Sequence, residues 1–165
     1  RAAAGERHSL FIDGEGRLSS CGSAPDHVPG ILGHGEGVTR LITPTRLPST
    51  LGGERAVSVA AGACHSLALT SSGAVWSWGY GQGRLGHGDE ESQWQPKKVE
   101  ALAGQSVVAV SAGAFHNLAL TSSGAVWSWG QGGLGALGHG DEQSQPMPKR
   151  VEALLASASS LCRLE

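Results

Sequence analysis

The sequence has little net charge and no long apolar run, and each shortage excludes a class of function. Its 12 lysine and arginine residues nearly balance 14 aspartate and glutamate residues, which leaves a formal net charge of −2. This balance predicts no direct binding of nucleic acid and no strong attraction to an anionic membrane surface. The apolar runs are far shorter than the ~20 residues of a membrane-spanning helix, so we also expect no membrane insertion.

Cysteine is scarce as well, with three residues, Cys21, Cys64 and Cys162. An odd number at unrelated spacings argues against a framework of disulfides. No basic start followed by an apolar stretch marks a secretory signal, and the single asparagine, Asn117, lies outside a glycosylation sequon. We therefore expect an intracellular protein, either cytoplasmic or nuclear.

Glycine, by contrast, is abundant, with 26 residues, and it marks a repeat. Segment 58–79 returns as segment 109–130, so that Gly62 and Gly113 occupy matched positions 51 residues apart, and a more divergent copy lies at 2–22. A period near 50 residues indicates units that bury their apolar faces against one another. The units fall approximately at 2–56, 57–107 and 108–154, with 155–165 beginning a further repeat.

The middle unit reads as about four short strands. Segment 57–60 is followed by segment 65–69, which alternates like a half-buried strand. A small polar turn joins the latter to segment 75–78 as a hairpin, and Pro96 suits an outer strand because proline is tolerated at a strand edge. No segment has convincing helical periodicity. The pattern predicts an all-β chain of about three four-stranded β-propeller blades, either open or part of a larger ring.

Three ordered motifs resemble the regulator of chromosome condensation repeat. In the middle unit they are V-A-A-G-A-C-H-S-L-A-L at 59–69, G-A-V-W-S-W-G at 73–79 and L-G-H-G at 85–88; L-G-H-G recurs at 32–35 and 137–140. The resemblance covers nearly the whole chain and implies a seven-bladed propeller, of which this chain would hold about three blades. Members of that family include an exchange factor for a small nuclear GTPase, domains of giant ubiquitin ligases and a plant UV-B photoreceptor.

The resemblance implies a protein-interaction scaffold rather than an enzyme. Propellers bind partners through the loops at their faces, and open blades could also pair through exposed strand edges. No Ser-His-Asp or Cys-His arrangement has local support, so we expect no catalysis, no cofactor and no metal. Two other functions stay open. One is nucleotide exchange on a small GTPase, and the other is a structural or substrate-recruiting part of a larger assembly such as a ubiquitin ligase.

Residues that recur once per unit are expected to serve the blade itself. The histidines should hydrogen-bond to backbone within or between blades, and the tryptophans should pack between blades. The photoreceptor carries its sensing tryptophans just after the glycine of G-x-x-H, where this sequence has Glu6, Ala63 and Ala114, so we expect no UV sensing. The residues assigned to this structural role are Gly5, His8, Gly62, His65, Gly113, His116, Trp76, Trp78, Trp127 and Trp129.

Two G-x-G-x-x-G segments, at 81–86 and 133–138, are not expected to bind phosphate. A dinucleotide site needs a helix that opens at the third glycine, because the amides of its first turn hold the pyrophosphate. Here the chain runs on into Gly-Asp-Glu and then proline. The match also recurs in successive units, which indicates a loop that serves the blade.

Charged residues at matched positions of the units are the candidate partner-binding residues. Adjacent blades would display the basic side chains as a short positive row and the acidic loops as a separate negative group. Such patches could steer a protein partner, for example a small GTPase. The candidates are Arg46, Lys97, Lys98, Lys149, Arg150, Asp89, Glu90, Asp141 and Glu142.

Overall fold

A computed structural model describes residues 1–25, 28, 30–49 and 51–154. Twelve strands form three antiparallel four-stranded sheets, with short 3-10 turns at Leu51–Gly53, Glu100–Leu102 and Gly133–Gly135. The predicted all-β blades are thus confirmed. The predicted start of a further repeat at 155–165 lies outside the described residues.

Each sheet takes its four strands in sequence order, and every strand is antiparallel to its neighbours. We call the sheets blades 1, 2 and 3. Blade 1 contains β1 (Ala2–Ala4), β2 (His8–Ile12), β3 (Leu18–Ser23) and β4 (Arg40–Arg46). Blade 2 contains β5 (Ala56–Ala61), β6 (His65–Thr70), β7 (Val75–Gly79) and β8 (Gln93–Lys98). Blade 3 contains β9 (Val107–Ala112), β10 (His116–Thr121), β11 (Val126–Gly130) and β12 (Gln145–Arg150).

Because the strands alternate in direction, the connections between them fall on two faces. The turns from the first to the second strand of each blade hold G-x-x-H and share one face with the long glycine-rich connections between the third and fourth strands. We call this the loop face. The hairpin turns between the second and third strands, and the links from blade to blade, lie on the opposite face, which we call the turn face.

The hairpins on the turn face are fixed by side chains at their corners. In blade 2 the Thr70 hydroxyl accepts a hydrogen bond from the Ala74 amide at 3.2 Å, and Gly73 adopts a left-handed conformation with φ of +85°. Blade 3 repeats this turn. In blade 1 the Asp13 carboxylate takes the place of the hydroxyl and accepts a hydrogen bond from the Arg17 amide at 3.0 Å. Local polar residues therefore set the strand register.

The apolar core lies in the seams between blades. Trp78 is fully buried between blades 1 and 2, and Trp129 is fully buried between blades 2 and 3. Each tryptophan faces the preceding blade, whereas Leu67 and Leu69 of blade 2 face the following one, because alternate residues of a strand point to opposite sides. Blade 2 is therefore buried on both faces, and all six residues of β6 are buried.

Candidate functional site

The glycine of each G-x-x-H motif makes room for its histidine ring. A Cβ atom placed on Gly5 would lie 2.6 Å from Cε1 of His8, and one on Gly113 would lie 2.5 Å from Cε1 of His116. Real Cβ atoms do not approach other atoms so closely, so a residue without a side chain is needed where the ring folds back against the turn. The spacing of the motif thus follows from packing inside one blade.

The G-x-x-H ring also joins its blade to the next one. Nε2 of His8 lies 2.8 Å from Oγ of Ser66, and Nε2 of His65 lies 2.6 Å from Oδ1 of Asn117. These bonds run between blades, but their partners are side chains and not the backbone that the sequence analysis anticipated. The reason is the strand alternation, which turns the residue after each histidine toward the preceding blade.

A second set of histidines, in the L-G-H-G motifs, anchors each glycine-rich loop to its own blade. Nε2 of His34, His87 and His139 lies 3.0, 3.0 and 2.9 Å from a serine hydroxyl on the third strand. The same hydroxyl donates to the carbonyl of the motif's leucine, as Ser77 does to Leu85 at 2.6 Å. The loops of the loop face are therefore held close to the sheet at their bases.

Burial keeps several of these rings neutral at neutral pH. It lowers the pKa of His8, His65 and His87 from 6.5 to about 4 each, because a charged imidazolium loses its hydration inside the protein. The bond to Asn117 favours the charged form of His65, but burial outweighs it. Within the described residues, no group of three or more His, Cys, Asp or Glu side chains is placed to hold a metal ion.

The first glycine of L-G-H-G makes room for a tryptophan of the following blade. A Cβ atom on Gly33 would lie 2.8 Å from Nε1 of Trp78, and one on Gly86 would lie 2.9 Å from Nε1 of Trp129. Trp78 also donates a hydrogen bond to the Ile31 carbonyl at 3.2 Å. Each of these motifs is therefore one wall of the cradle that holds the next blade's tryptophan.

Neither the Cys64–His65 pair nor the G-x-G-x-x-G segments form a reactive site. The His65 ring is bonded across the seam, and burial raises the pKa of the Cys64 thiol, so the ring does not activate the sulfur. Segment 81–86 contains no helix, and segment 133–138 contains only a single 3-10 turn. Neither segment therefore offers a phosphate the N-terminus of an α-helix.

The two acidic loops meet at one cleft on the loop face. Glu90 and Glu142 both line an open cleft of about 610 Å³ between blades 2 and 3. The same cleft is lined by Gln82, Gln131 and Ser144, whose side chains add amide and hydroxyl groups. Residues far apart in the sequence are thus brought into one polar cleft with two carboxylates, which we call the acidic cleft.

The aspartates of these loops, Asp89 and Asp141, hydrogen-bond within their own loops. Oδ1 of Asp89 and of Asp141 accepts a hydrogen bond from the amide two residues later, at 3.0 Å in each loop. Oδ2 of Asp89 also lies 4.0 Å from Nζ of Lys97. The expectation of separate positive and negative groups is therefore wrong in blade 2. The two charges meet because Lys97 lies opposite Ser77, the residue to which His87 of the acidic loop is bonded.

The basic candidates do not form one row. Lys97 and Lys149 lie opposite a serine of the third strand, whereas Arg46, Lys98 and Arg150 lie opposite the residue before that serine. Neighbouring residues of a strand point to opposite sides, so the two groups are displayed on different sides of the outer strand. Lys98 is also paired with a nearby carboxylate at 3.9 Å.

One cluster on the loop face was missed by the sequence analysis. The guanidinium carbon of Arg84 lies 5.2 Å from the ring centroids of both Tyr80 in blade 2 and Phe115 in blade 3, within the range of cation–π contacts. The Arg84 side chain is buried, and its carbonyl accepts a hydrogen bond from Asn117 at 2.7 Å. The available signal was a departure from the repeat, because Ala136 occupies the matched position of blade 3.

Two models of the regulator of chromosome condensation (RCC1) repeat match this chain. One matches residues 72–120 and 123–160, and the other matches residues 56–83 and 107–136. The matched segments cover more than half of the sequence. They include the G-x-x-H turns and the tryptophan strands of blades 2 and 3 described above.

The relatives of known role are much longer than this chain. It is 40% identical over 153 residues to the human E3 ubiquitin-protein ligase HERC2, and 37% identical over 150 residues to the ultraviolet-B receptor UVR8 of Arabidopsis thaliana. The matches cover 91% and 90% of this chain but only 3% and 33% of the relatives.

Two solved structures share the fold. Prp20p from Saccharomyces cerevisiae, described with its binding to Gsp1p and histones, superposes with a TM-score of 0.79 and 26% identity over 92% of this chain and 37% of that one. Yeast RCC1 (Prp20) bound to Kap60 gives a TM-score of 0.78 and 27% identity over 92% and 36%. The likenesses support an RCC1-type interaction or regulatory role.

No helix in the described residues is long and apolar enough to cross a membrane.

Proposed function

The chain belongs to the RCC1 repeat family, and we propose that it acts as a scaffold that binds a protein partner at its loop face. The observation that carries this proposal is the acidic cleft, where Glu90 and Glu142 of neighbouring blades line one space. Two carboxylates beside amide and hydroxyl groups suit the lysine or arginine side chains of a basic segment. The blades supply the binding surface and no catalytic group.

One structural neighbour favours the same chemistry. Prp20p is described as binding histones, which are basic proteins. The anchoring of the loops also favours a binding role, because the L-G-H-G histidines bond the loops that border the cleft to the blades. A partner would therefore meet a surface that loses little conformational freedom on binding.

The test is calorimetric titration of the chain with a lysine- and arginine-rich peptide. We expect the double variant Glu90→Gln/Glu142→Gln to weaken binding several-fold, because each substitution removes one carboxylate without changing the shape of the cleft. Glu6→Gln/Glu36→Gln is the matched control, since both are exposed glutamates on the loop face of blade 1. Equal affinities for the two variants would contradict the proposal.

Nucleotide exchange on a small GTPase is a second candidate function. It is favoured by the fold shared with Prp20p, which is described as binding Gsp1p, although this chain spans only 37% of that protein. Exchange works by displacing the nucleotide through protein contacts and needs no catalytic constellation. The test is release of a fluorescent guanine nucleotide from a panel of small GTPases, and no acceleration by the chain would exclude this function for it.

A role as one segment of a larger propeller or ligase assembly is the third candidate. Leu118 and Leu120 of blade 3 are 38% and 39% exposed, whereas the matched Leu67 and Leu69 of blade 2 are 0% and 2% exposed. Within the part of the chain that the structure describes, the tryptophan cradle of blade 3 is also open, since a Cβ atom on Gly138 would contact only Val151. We propose that this face packs against a further RCC1-type blade that carries a tryptophan.

Blade 1 of a second copy of this chain would pack poorly against the exposed side of blade 3. Ser19 and Cys21 of blade 1 stand where Trp76 and Trp78 stand in blade 2, so its outer side offers no tryptophan to fill the cradle. The further blade would therefore come from a longer natural chain or from another subunit.

Cys21 and Cys64 are both free thiols, and we propose an intracellular location on this basis.

A further inference from the structure

The turn face carries a crevice between blades 1 and 2 that none of these roles uses. Its volume is about 560 Å³, and Leu18, Leu47 and Leu51 form its buried apolar lining. Three arginines line it as well, one from the hairpin turn of blade 1, one from the end of β4 and one from the link to blade 2. They are Arg17, Arg46 and Arg55. We call this the arginine crevice.

The repeat supplies an internal control for these arginines. The matched crevice between blades 2 and 3 is smaller, about 220 Å³, and contains no arginine, although Lys98 stands there in the place of Arg46. There Ala74 stands in the place of Arg17 and Ser106 in the place of Arg55. A residue that the blade itself requires would recur at its matched position, as the histidines and glycines do. Arg17 and Arg55 are therefore not explained by the architecture of the repeat, whereas a basic residue recurs at the position of Arg46.

The charge of Arg17 is already satisfied within the chain. Its Nε donates to Oδ2 of Asp13 at 2.6 Å, and its guanidinium also contacts Glu15. Hydrogen bonds from Arg17 lower the pKa of the Asp13 carboxyl to about 2, so this pair stays charged at any ordinary pH. Arg17 therefore forms one wall of the crevice without offering a free positive charge.

Arg46 and Arg55 are different. Neither takes part in any ion pair among the described residues. Among the described residues, the Arg55 side chain donates one hydrogen bond, from Nη2 to the Gly14 carbonyl at 3.0 Å, which leaves most of its donors unused. Glu54, at the rim, is bonded to the Ser72 hydroxyl. Two guanidinium groups thus flank an apolar floor with donor groups to spare.

We propose that the arginine crevice binds an acidic peptide segment of a protein partner, in which an aspartate or glutamate lies next to an apolar side chain. The planar guanidinium matches a carboxylate with two parallel hydrogen bonds, and the leucines accept the apolar neighbour. Glu15 and Glu54 also line the crevice, so we expect it to accept a short segment with one or two carboxylates and to repel a polyanion such as nucleic acid. The crevice is on the face opposite the acidic cleft, so one scaffold could hold two partners of opposite charge.

The experiment is an NMR titration of the full isotope-labelled chain with a peptide that contains Leu-Glu-Asp-Leu, beside a matched peptide with Leu-Gln-Asn-Leu. We expect the acidic peptide to shift the amide resonances of 15–18, 46–49 and 51–55 selectively. The double variant Arg46→Gln/Arg55→Gln should weaken binding about tenfold, because charge-assisted hydrogen bonds are lost. Arg40→Gln/Lys149→Gln is the matched control, which removes two exposed cations outside the crevice.

Three outcomes would overturn the assignment: no localised shifts, equal affinity of the two double variants, or equal affinity of the two peptides. Inorganic phosphate is titrated separately, and the same shifts at the same concentration would mean a site for small anions and not for a peptide. The variant Glu90→Gln/Glu142→Gln should bind the acidic peptide normally. This last measurement keeps the result independent of the function proposed for the loop face.

Discussion

Blades 2 and 3 share thirteen identical residues in a row, at 67–79 and 118–130, but bury them differently. In blade 2 the leucines of this segment are 0% and 2% exposed, and in blade 3 they are 38% and 39% exposed. The strands, the hairpin turn and the buried tryptophan are the same in both. The difference comes from the neighbouring blade alone, because the seam and not the strand decides which apolar residues become core.

The largest effect is expected where the two blades behave alike. Trp78 and Trp129 are each fully buried in a seam, so Trp78→Ala and Trp129→Ala should each lower the free energy of unfolding by about 3–5 kcal/mol. Urea denaturation followed by far-UV circular dichroism measures this loss. A much smaller loss at either position would mean that its seam does not stabilise the fold.

The next loss of stability should differ between blades 2 and 3. Leu67→Ala removes a fully buried side chain and should lower the free energy of unfolding by about 2–4 kcal/mol. Leu118→Ala removes a side chain that is 38% exposed and should lower it by less than about 1 kcal/mol. The same urea experiment compares the two. Equal losses would mean that the outer face of blade 3 is already covered in solution, for example by a second copy.

The comparison of Leu67→Ala with Leu118→Ala can be sharpened by covering the exposed side of blade 3 with a further blade. We expect a second copy of 103–154, joined after residue 154 so that the link keeps its eight residues, to bury Leu118 and raise the cost of Leu118→Ala toward that of Leu67→Ala. In the appended blade, alanine at the position matched to Trp129 is the control, because it empties the cradle beside Gly138. No change in the cost of Leu118→Ala would contradict the proposed packing of a further blade.

Both seams should also lose stability in acid. Burial lowers the pKa of His8 and His65 to about 4, so the unfolded chain binds more protons than the folded one between pH 6.5 and 4. Stability should therefore be full above pH 6.5 and fall through this window by up to about 1.4 kcal/mol per pH unit for each histidine. Denaturation midpoints across the pH range measure this slope, and His65→Gln should reduce it. An unchanged slope would mean that His65 is not buried in its neutral form.

The smallest effect is expected at the surface of blade 2. Lys97 and Asp89 are both partly exposed, and their charged atoms are 4.0 Å apart. Lys97→Gln should change the free energy of unfolding by less than about 0.5 kcal/mol, because such pairs are weakened by water and salt. Thermal denaturation at low and high salt checks this, and a large salt-dependent loss would contradict it.

Much of the blade could be predicted because its causes are local. Alternating apolar residues, a polar hairpin turn and a proline near the outer edge define four strands within one unit. The interaction of His65 with Asn117 could not be predicted in the same way, because the two residues are 52 positions apart. The same holds for Arg84, whose aromatic neighbours come from two different blades.

The sequence by itself determined the blades, since strand alternation, turn geometry and the glycine beside each histidine act over a few residues. Only the tertiary structure decided which side chains become core, which acidic residues share a cleft and which arginines flank a crevice. Glu90 and Glu142, like Arg46 and Arg55, meet at contacts between blades or between distant loops. Such contacts depend on how twisted sheets stack, which no single repeat specifies.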